Sequence, residues 1–193
     1  MKPYRWILGS QSPRRKELLA TLRHPFEIRT IEGHSEAYPE TLPLEEVPRY
    51  LSQLKAEQLR PTLQDDELLI TADTVVLLDG QLLGKPHDLD DARRMLRLLS
   101  GRPHEVVSGV SLTTAEWQRS FDSHTRVTFA PLTDSEIDHY VTHYRPLDKA
   151  GAYGIQEWIG YIGVSHIEGS FYNVMGLPVQ RLYRELRDAT LLP

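Results

Sequence analysis

The chain of 193 residues has no cysteine, which removes disulfides, thiolate metal sites and thiol nucleophiles together. It has no surplus of positive charge: the formal net charge is −5, so a protein that coats nucleic acid or an anionic membrane is excluded as the simplest reading. No hydrophobic run is long enough to span a bilayer, and Met-Lys-Pro-Tyr-Arg-Trp-Ile-Leu at the start has the form of neither a signal peptide nor an anchor. A cytoplasmic protein is the expectation. Three nucleotide and hydrolase signatures are also missing: Gly-x-x-x-x-Gly-Lys-Ser/Thr, Gly-x-Gly-x-x-Gly after the first strand, and Gly-x-Ser-x-Gly.

What remains is an ordinary globular composition, with 40% hydrophobic and 25% charged residues, sized for one domain over residues 1–193. Tyr4–Leu8 reads as a buried strand, followed by a helix over Ser12–Leu22, a second strand over Phe26–Thr30 and a loop over 32–43. A helix is expected at about 45–60, closed by Pro61, and a strongly apolar strand over Leu68–Leu78. Asp79-Gly80 signals a two-residue hairpin turn, with Gln81–Gly84 returning. Asp88 or Asp90 starts an amphipathic helix that buries Ala92, Met95, Leu96 and Leu99 and stops at Gly101. Glu105–Thr113 and Arg119–Phe129 form a hairpin. Thr133-Asp134-Ser135-Glu136 is a capping box whose helix buries Ile137, Tyr140, Val141 and Tyr144. Short strands are expected in the glycine-rich stretch from Lys149 to Gly176, and a last helix from Pro178 buries Val179, Leu182, Tyr183 and Leu186. Strands and helices interleave and hairpins are present, so the class is α/β with a mixed sheet.

Four segments carry chemistry. In Ser-Gln-Ser-Pro-Arg-Arg-Lys-Glu-Leu-Leu, residues 10–19, Ser12 reads as an N-cap and Pro13 as the first helical residue, which puts Arg14, Arg15 and Lys16 in the first turn. Cations at the positive end of a helix dipole each cost a few tenths of a kcal/mol, up to about 1, unless an anion such as phosphate sits there. Asp73 interrupts the apolar run of 68–78, where a charge must be paired or bind a metal; a strand-end Asp capping a loop is the bland alternative. Continued in ideal register, the hairpin pairs Thr74 with Lys85, and a bulge at Gly84 would turn Lys85 toward Asp73. Lys55 lies beside an apolar stripe with Leu51 and Leu59, a place from which lysine usually snorkels to solvent. Glu36 sits in a loop with nothing in its spacing to mark it. In Asp148–Gln156, DKAGAYGIQ, the glycines permit close approach, and Gln156 has the donor and acceptor needed to read a base edge. His139 and His143 are four apart, as zinc ligands can be, but lie off the apolar face and read as solvated.

Taken together, S-x-S-P-R-R-x-E-L-L, A-D-T-V-V followed by G-K-P, D-K-A-G-A-Y-G-I-Q and G-S-F-Y-N-V-x-G-L-P, in that order from Ile7 to about Tyr183, resemble the Maf family of nucleoside triphosphate pyrophosphatases. The resemblance implies a two-lobed fold similar to that of inosine triphosphatase, an elongated mixed sheet flanked by helices with a central cleft. It implies hydrolysis of a nucleoside triphosphate to monophosphate and pyrophosphate with a divalent cation, Mg²⁺ or Mn²⁺, and allows a homodimer; nucleic acid and membrane are not expected partners. By position, Asp73 is the implied general base, and Glu36 and Asp73 the implied metal ligands. Lys55 and Lys85 are the phosphate-side lysines, and Ser10, Arg14 and Arg15 the phosphate loop. Arg14, Thr74 and Gln156 match the specificity positions of the dTTP/UTP branch. Removal of modified nucleotides is a further implied role. A 7-methyl-GTP branch and a non-catalytic nucleotide-binding regulator of cell division are the alternatives. Gly9 stands where the family has alanine, a mild change. Glu157 stands where glycine is usual, and either alters the base pocket or faces solvent.

Overall fold

The computed structural model describes residues 4–31 and 37–192. The strands are β1 (Arg5–Leu8), β2 (Phe26–Ile28), β3 (Glu67–Leu78), β4 (Gln81–Leu83), β5 (Pro103–Thr113), β6 (Gln118–Phe129) and β7 (Val164–Glu168). The helices are α1 (Pro13–Ala20), α2 (Val47–Leu59), α3 (Leu89–Leu99), α4 (Asp134–Tyr144), α5 (Trp158–Gly163), α6 (Phe171–Met175) and α7 (Val179–Asp188). The strands pair in the order β2-β1-β3-β5-β6-β7, with β4 on β3. β1 is parallel to β2 and β3, whereas β3–β4 and β6–β7 are antiparallel, so the sheet is mixed as expected. No described helix is long and apolar enough to cross a membrane.

The chain divides into two compact units. The first comprises 1–73, 108–123 and 176–193, the second 74–107 and 124–175. In the first, Ile7, Ala56, Leu59 and Leu69 form an apolar cluster between β1, β3 and α2. α2 lies so close to β5 that a Cβ on Gly109 would fall 2.2 Å from the Arg49 nitrogen. Glycine at 109 is therefore what admits the helix. Glu67 is 1% exposed at the start of β3, and the guanidiniums of Arg29 (2.8 Å) and Arg5 (3.1 Å) match its charge. The hydrogen bonds from Arg29 in particular hold its pKa below the usual carboxylate value.

In the second unit α3 and α4 are joined by the ion pairs Arg93–Asp138 and Arg97–Asp134. Asp88 is the N-cap of α3, and Thr133 and Glu136 complete the capping box of α4. The turn at Asp79-Gly80 has positive φ at both residues, 48° and 74°, as a hairpin turn of this length requires. Leu78↔Gln81, Leu77↔Leu82 and Val76↔Leu83 pair across it. Pairing ends there, so Gly84 and Lys85 lie beyond β4 rather than on its ladder. His104 is buried between Phe129 and Tyr153, its Nε2 2.7 Å from the Tyr153 hydroxyl.

The helix expected at about 45–60 is α2, which ends at Leu59 ahead of Pro61; the proline sits near the start of a short 3₁₀ turn over Arg60–Thr62, where its missing N–H costs nothing. Two expectations need correction. Residues 158–175 hold two helices and one strand instead of short strands. Ser170 caps α6, accepting from the Asn173 N–H at 3.3 Å, and the Asn173 carboxamide bonds Val106 O (3.1 Å) and Thr125 Oγ1 (3.0 Å). Tyr144 and Tyr183 are 41% and 45% exposed at the margins of their helical faces. α7 buries Glu185 instead, ion-paired with Arg119 and Arg181.

Burial lowers the His104 pKa to about 4, from an ordinary value near 6.5. The folded state thus favours the neutral ring. Stability from this group is complete above about pH 6.5 and is lost as pH falls toward 4, by about 3 kcal/mol at the lower end. Urea unfolding at pH 7, 5.5 and 4 should show a slope for the parent chain that His104→Gln flattens by that amount. Parallel curves would remove His104 from the acid sensitivity.

Candidate active site

The turn from β1 into α1 is built around the Ser10 hydroxyl, which is 8% exposed. Ser10 Oγ accepts from the Ser12 N–H (3.2 Å) and from Arg15 Nη1 (3.4 Å). Ser12 caps α1 through the Arg15 N–H and Pro13 follows it, as the sequence predicted. Arg15 Nε donates to the Gly176 carbonyl at 2.9 Å, which ties α1 to the segment before α7. The turn also presses on β3. A Cβ on Gly9 would meet Thr71 Cγ2 at 2.7 Å and methyls of Leu59 and Leu69 at 3.1 Å, so the glycine is a fitted residue and more than a mild change.

Lys55 and Asp73 come together by two parallel contacts between α2 and β3. Ser52 and Lys55 are three apart and share a helix face, while Thr71 and Asp73 are two apart and share a strand face. Thr71 Oγ1 donates to the Ser52 carbonyl at 2.7 Å, and Ser52 Oγ shares a hydrogen bond with Ser111 Oγ at 2.8 Å. One turn further on, Lys55 Nζ donates to Asp73 Oδ1. Lys55 is 9% exposed, so the expected snorkelling does not occur. The partner across the interface lies on a strand that helical periodicity cannot reveal.

Burial pushes the Arg15 guanidinium below its ordinary pKa; the Asp73 charge acts in the opposite sense and Arg14 adds to the lowering. Ser10, Arg15, Lys55 and Asp73 thus form one electrostatic group in the first unit, and Arg14 occupies the same first turn of α1. Thr74, Lys85 and Gln156 belong to the second unit. Thr74 is half-buried and Lys85 is exposed just past β4. Gln156 is half-buried, and its carboxamide oxygen, shielded from solvent, has no hydrogen-bond partner among the described residues. Glu36, expected as a metal ligand, lies outside the described residues.

Glu157 does not simply face solvent. Its Oε1 meets Lys149 Nζ at 3.1 Å and its Oε2 accepts from the Tyr140 hydroxyl. Neither Lys149 nor Tyr140 stands out in the sequence as part of this cluster; the only signal is the carboxylate at position 157. His139 and His143 are exposed, with ring centroids 4.3 Å apart and Trp158 beside His139. Among the described residues no group of three or more His, Asp or Glu side chains is arranged to hold a metal. Asp73 still offers a carboxylate, and Mg²⁺ is commonly bound by one or two carboxylates completed by substrate phosphates. The residues present fit that mode.

The profile of a family described as Maf-like protein matches residues 5–189. A dTTP/UTP pyrophosphatase of Phocaeicola vulgatus is 58% identical, with 97% of each chain covered. One of Porphyromonas gingivalis is 57% identical over 97% of this chain and 96% of its own length. One of Bacteroides thetaiotaomicron is 55% identical over 95% of each. Among solved structures, a dITP/XTP pyrophosphatase of Mycobacterium abscessus is 16% identical over 98% of this chain and 99% of that one, with a TM-score of 0.45.

Arg15→Lys keeps the charge but loses the guanidinium fork that reaches Gly176 and Ser10 together. Denaturant unfolding should show a loss of about 1–2 kcal/mol, the scale of a charged hydrogen bond forfeited at a half-buried site. An unchanged midpoint would show that these bonds do not hold the turn.

Proposed function

The chain belongs to the Maf-like family, and on that footing we propose that it is a nucleoside triphosphate pyrophosphatase that converts dTTP and UTP to the monophosphate and pyrophosphate. The observation that carries the substrate reading is the identity of more than half, over nearly the whole length, with relatives named for that reaction. A cytoplasmic location belongs to the same proposal, since nucleoside triphosphates are its substrates.

The chemistry of the residues supports it. A water oxygen bonds to the α-phosphorus, the bond from that phosphorus to the bridging oxygen breaks, and pyrophosphate leaves. Asp73 takes the water proton as general base. Lys55, its ion-pair partner, holds the carboxylate in place and carries positive charge at the point where the phosphate oxygens gain negative charge. Arg14 and Arg15, with the first N–H groups of α1, bind the phosphate chain; the anion removes the electrostatic cost of cations at a helix N-terminus. Lys85 contributes a further ammonium to the phosphates. Glu36 and Asp73 would hold a divalent cation, Mg²⁺ or Mn²⁺, which when bound neutralises phosphate charge and lowers the pKa of water.

For the base, Gln156 has the right pair of groups. Its carbonyl accepts from N3–H and its amide donates to O4, an edge that uracil and thymine share and cytosine inverts. A buried carbonyl oxygen without a partner is the kind of group that a ligand N–H satisfies. Thr74, half-buried on β3, contributes to the same selectivity together with Arg14.

Pyrophosphate release from a panel of nucleotides tests the proposal. dTTP and UTP should be the preferred substrates, and EDTA should abolish turnover. Asp73→Asn should lower kcat by about 10²-fold or more, as loss of a general base does, with UTP still bound in equilibrium titration. Turnover by Asp73→Asn at the parental rate would remove Asp73 from the chemistry, and preference for 7-methyl-GTP would overturn the substrate assignment.

A further inference from the structure

Gln156 is the third residue of a turn closed by a hydrogen bond from the Glu157 N–H to the Gly154 carbonyl, 3.0 Å. Both ends of that turn are tied to one hydroxyl. Tyr140 OH accepts from the Gly154 N–H at 3.0 Å and donates to Glu157 Oε2. The other Glu157 oxygen is taken by Lys149 at 3.1 Å, and Lys149 reaches Asp148 at 2.8 Å. Tyr140 is fully buried and Lys149 is 8% exposed. Burial, and then the hydrogen bond and charge of Glu157, push the tyrosine pKa above its ordinary value, so the hydroxyl keeps the proton it donates. Gly154 has no room for a side chain: a Cβ there would lie 2.7 Å from Glu157 Cδ. The Glu157 carbonyl, in turn, accepts from the Gly160 N–H at 2.9 Å and so starts α5.

Both Glu157 oxygens and the Tyr140 hydroxyl are therefore matched, and satisfied buried networks are rigid. The exception beside it is the carbonyl of Gln156, which is shielded from water and has no partner among the described residues. A carboxamide free to turn by half a rotation exchanges its donor and acceptor, and so fits uracil in one orientation and cytosine in the other. Reading the base thus requires a turn that presents the Gln156 side chain at one place, so that a single carboxamide orientation meets the base edge.

We propose that Tyr140, Glu157 and Lys149 are positioning residues that fix the Gln156 turn and so set the preference for uracil and thymine over cytosine. The inference rests on the assignment of the chain as a dTTP/UTP pyrophosphatase and adds to it three residues that are given no part in the phosphate chemistry.

Steady-state kinetics on UTP and CTP test it, using Tyr140→Phe, which keeps the ring in place, Glu157→Ala, and Gln156→Ala as the reference. Tyr140→Phe and Glu157→Ala should each raise KM for UTP with kcat nearly unchanged. Each should also lower the UTP-to-CTP ratio of kcat/KM by roughly tenfold, the scale on which a misaligned hydrogen-bonding site loses discrimination. Gln156→Ala should erase the preference. If Gln156→Ala erases it while both other variants keep the parental ratio, the positioning proposal is overturned and the role of Gln156 stands. A melting temperature that falls with the ratio intact overturns it in the same way, because it marks a structural role. If Gln156→Ala keeps the preference, Gln156 does not read the base and the proposal falls with that assignment. Turnover of UTP by the parent chain checks the enzyme assignment separately.

Discussion

A carboxylate in the middle of a buried strand has to be matched by opposite charge, and the pair between Asp73 and Lys55 meets that requirement. The side-chain exposures are 13% and 11%, so neither charge has much water to fall back on. The two backbones that carry them are held independently. Gly109 lets the start of α2 approach β5, the Ser52–Ser111 and Thr71–Ser52 hydrogen bonds fix its register on the sheet, and Ile7, Ala56, Leu59 and Leu69 fill the space beneath. The ammonium therefore meets Asp73 at a place the scaffold sets, which is how a fold pre-organises a charged group.

The same arrangement accounts for the sign of the charge near α1. Arg14 and Arg15 occupy a first turn that has no acidic residue, and the Asp73 carboxylate that acts on Arg15 also pairs with Lys55. Three of the first four residues of the helix, Arg14, Arg15 and Lys16, are cationic in a chain whose net charge is −5. Cations at a helix N-terminus are relieved by an anion, and under the proposed function a polyphosphate supplies several negative charges at once.

Much of this is legible from local rules. The Ser12 cap, the Asp79-Gly80 turn, the capping box at Thr133 and the apolar face of α3 depend on residues within one or two turns of each other, and all four form as expected. The Lys55–Asp73 pair is half-legible: the misplaced charge in an apolar strand shows that Asp73 needs a partner, but the partner is 18 positions away on another element. Tyr144 and Tyr183 depart from the expected burial because a tyrosine at the edge of a helical stripe can leave its hydroxyl in water. Glu185 escapes a sequence reading because its two arginines come from β6 and from the previous turn of α7. The helix at Phe171–Met175 reads as a strand because Phe-Tyr-Asn-Val has high strand propensity, which the Ser170 cap and the buried Asn173 carboxamide override.

The two units use buried charge in opposite ways, and the difference lies in how fully each group is satisfied. Around Glu157 both carboxylate oxygens have partners, the tyrosine hydroxyl both donates and accepts, and the lysine spans two carboxylates. A cluster so complete gains little by binding anything else, so its contribution is geometric. Lys55 and Asp73 form a pair whose carboxylate also acts on Arg15, and the Gln156 carbonyl has no described partner. Groups left short of partners in a folded protein cost stability, and that cost is recovered when a ligand supplies what is missing. By this measure the Gln156 carbonyl is the group that a ligand would complete under the proposed function, whereas Glu157 has its partners within the fold.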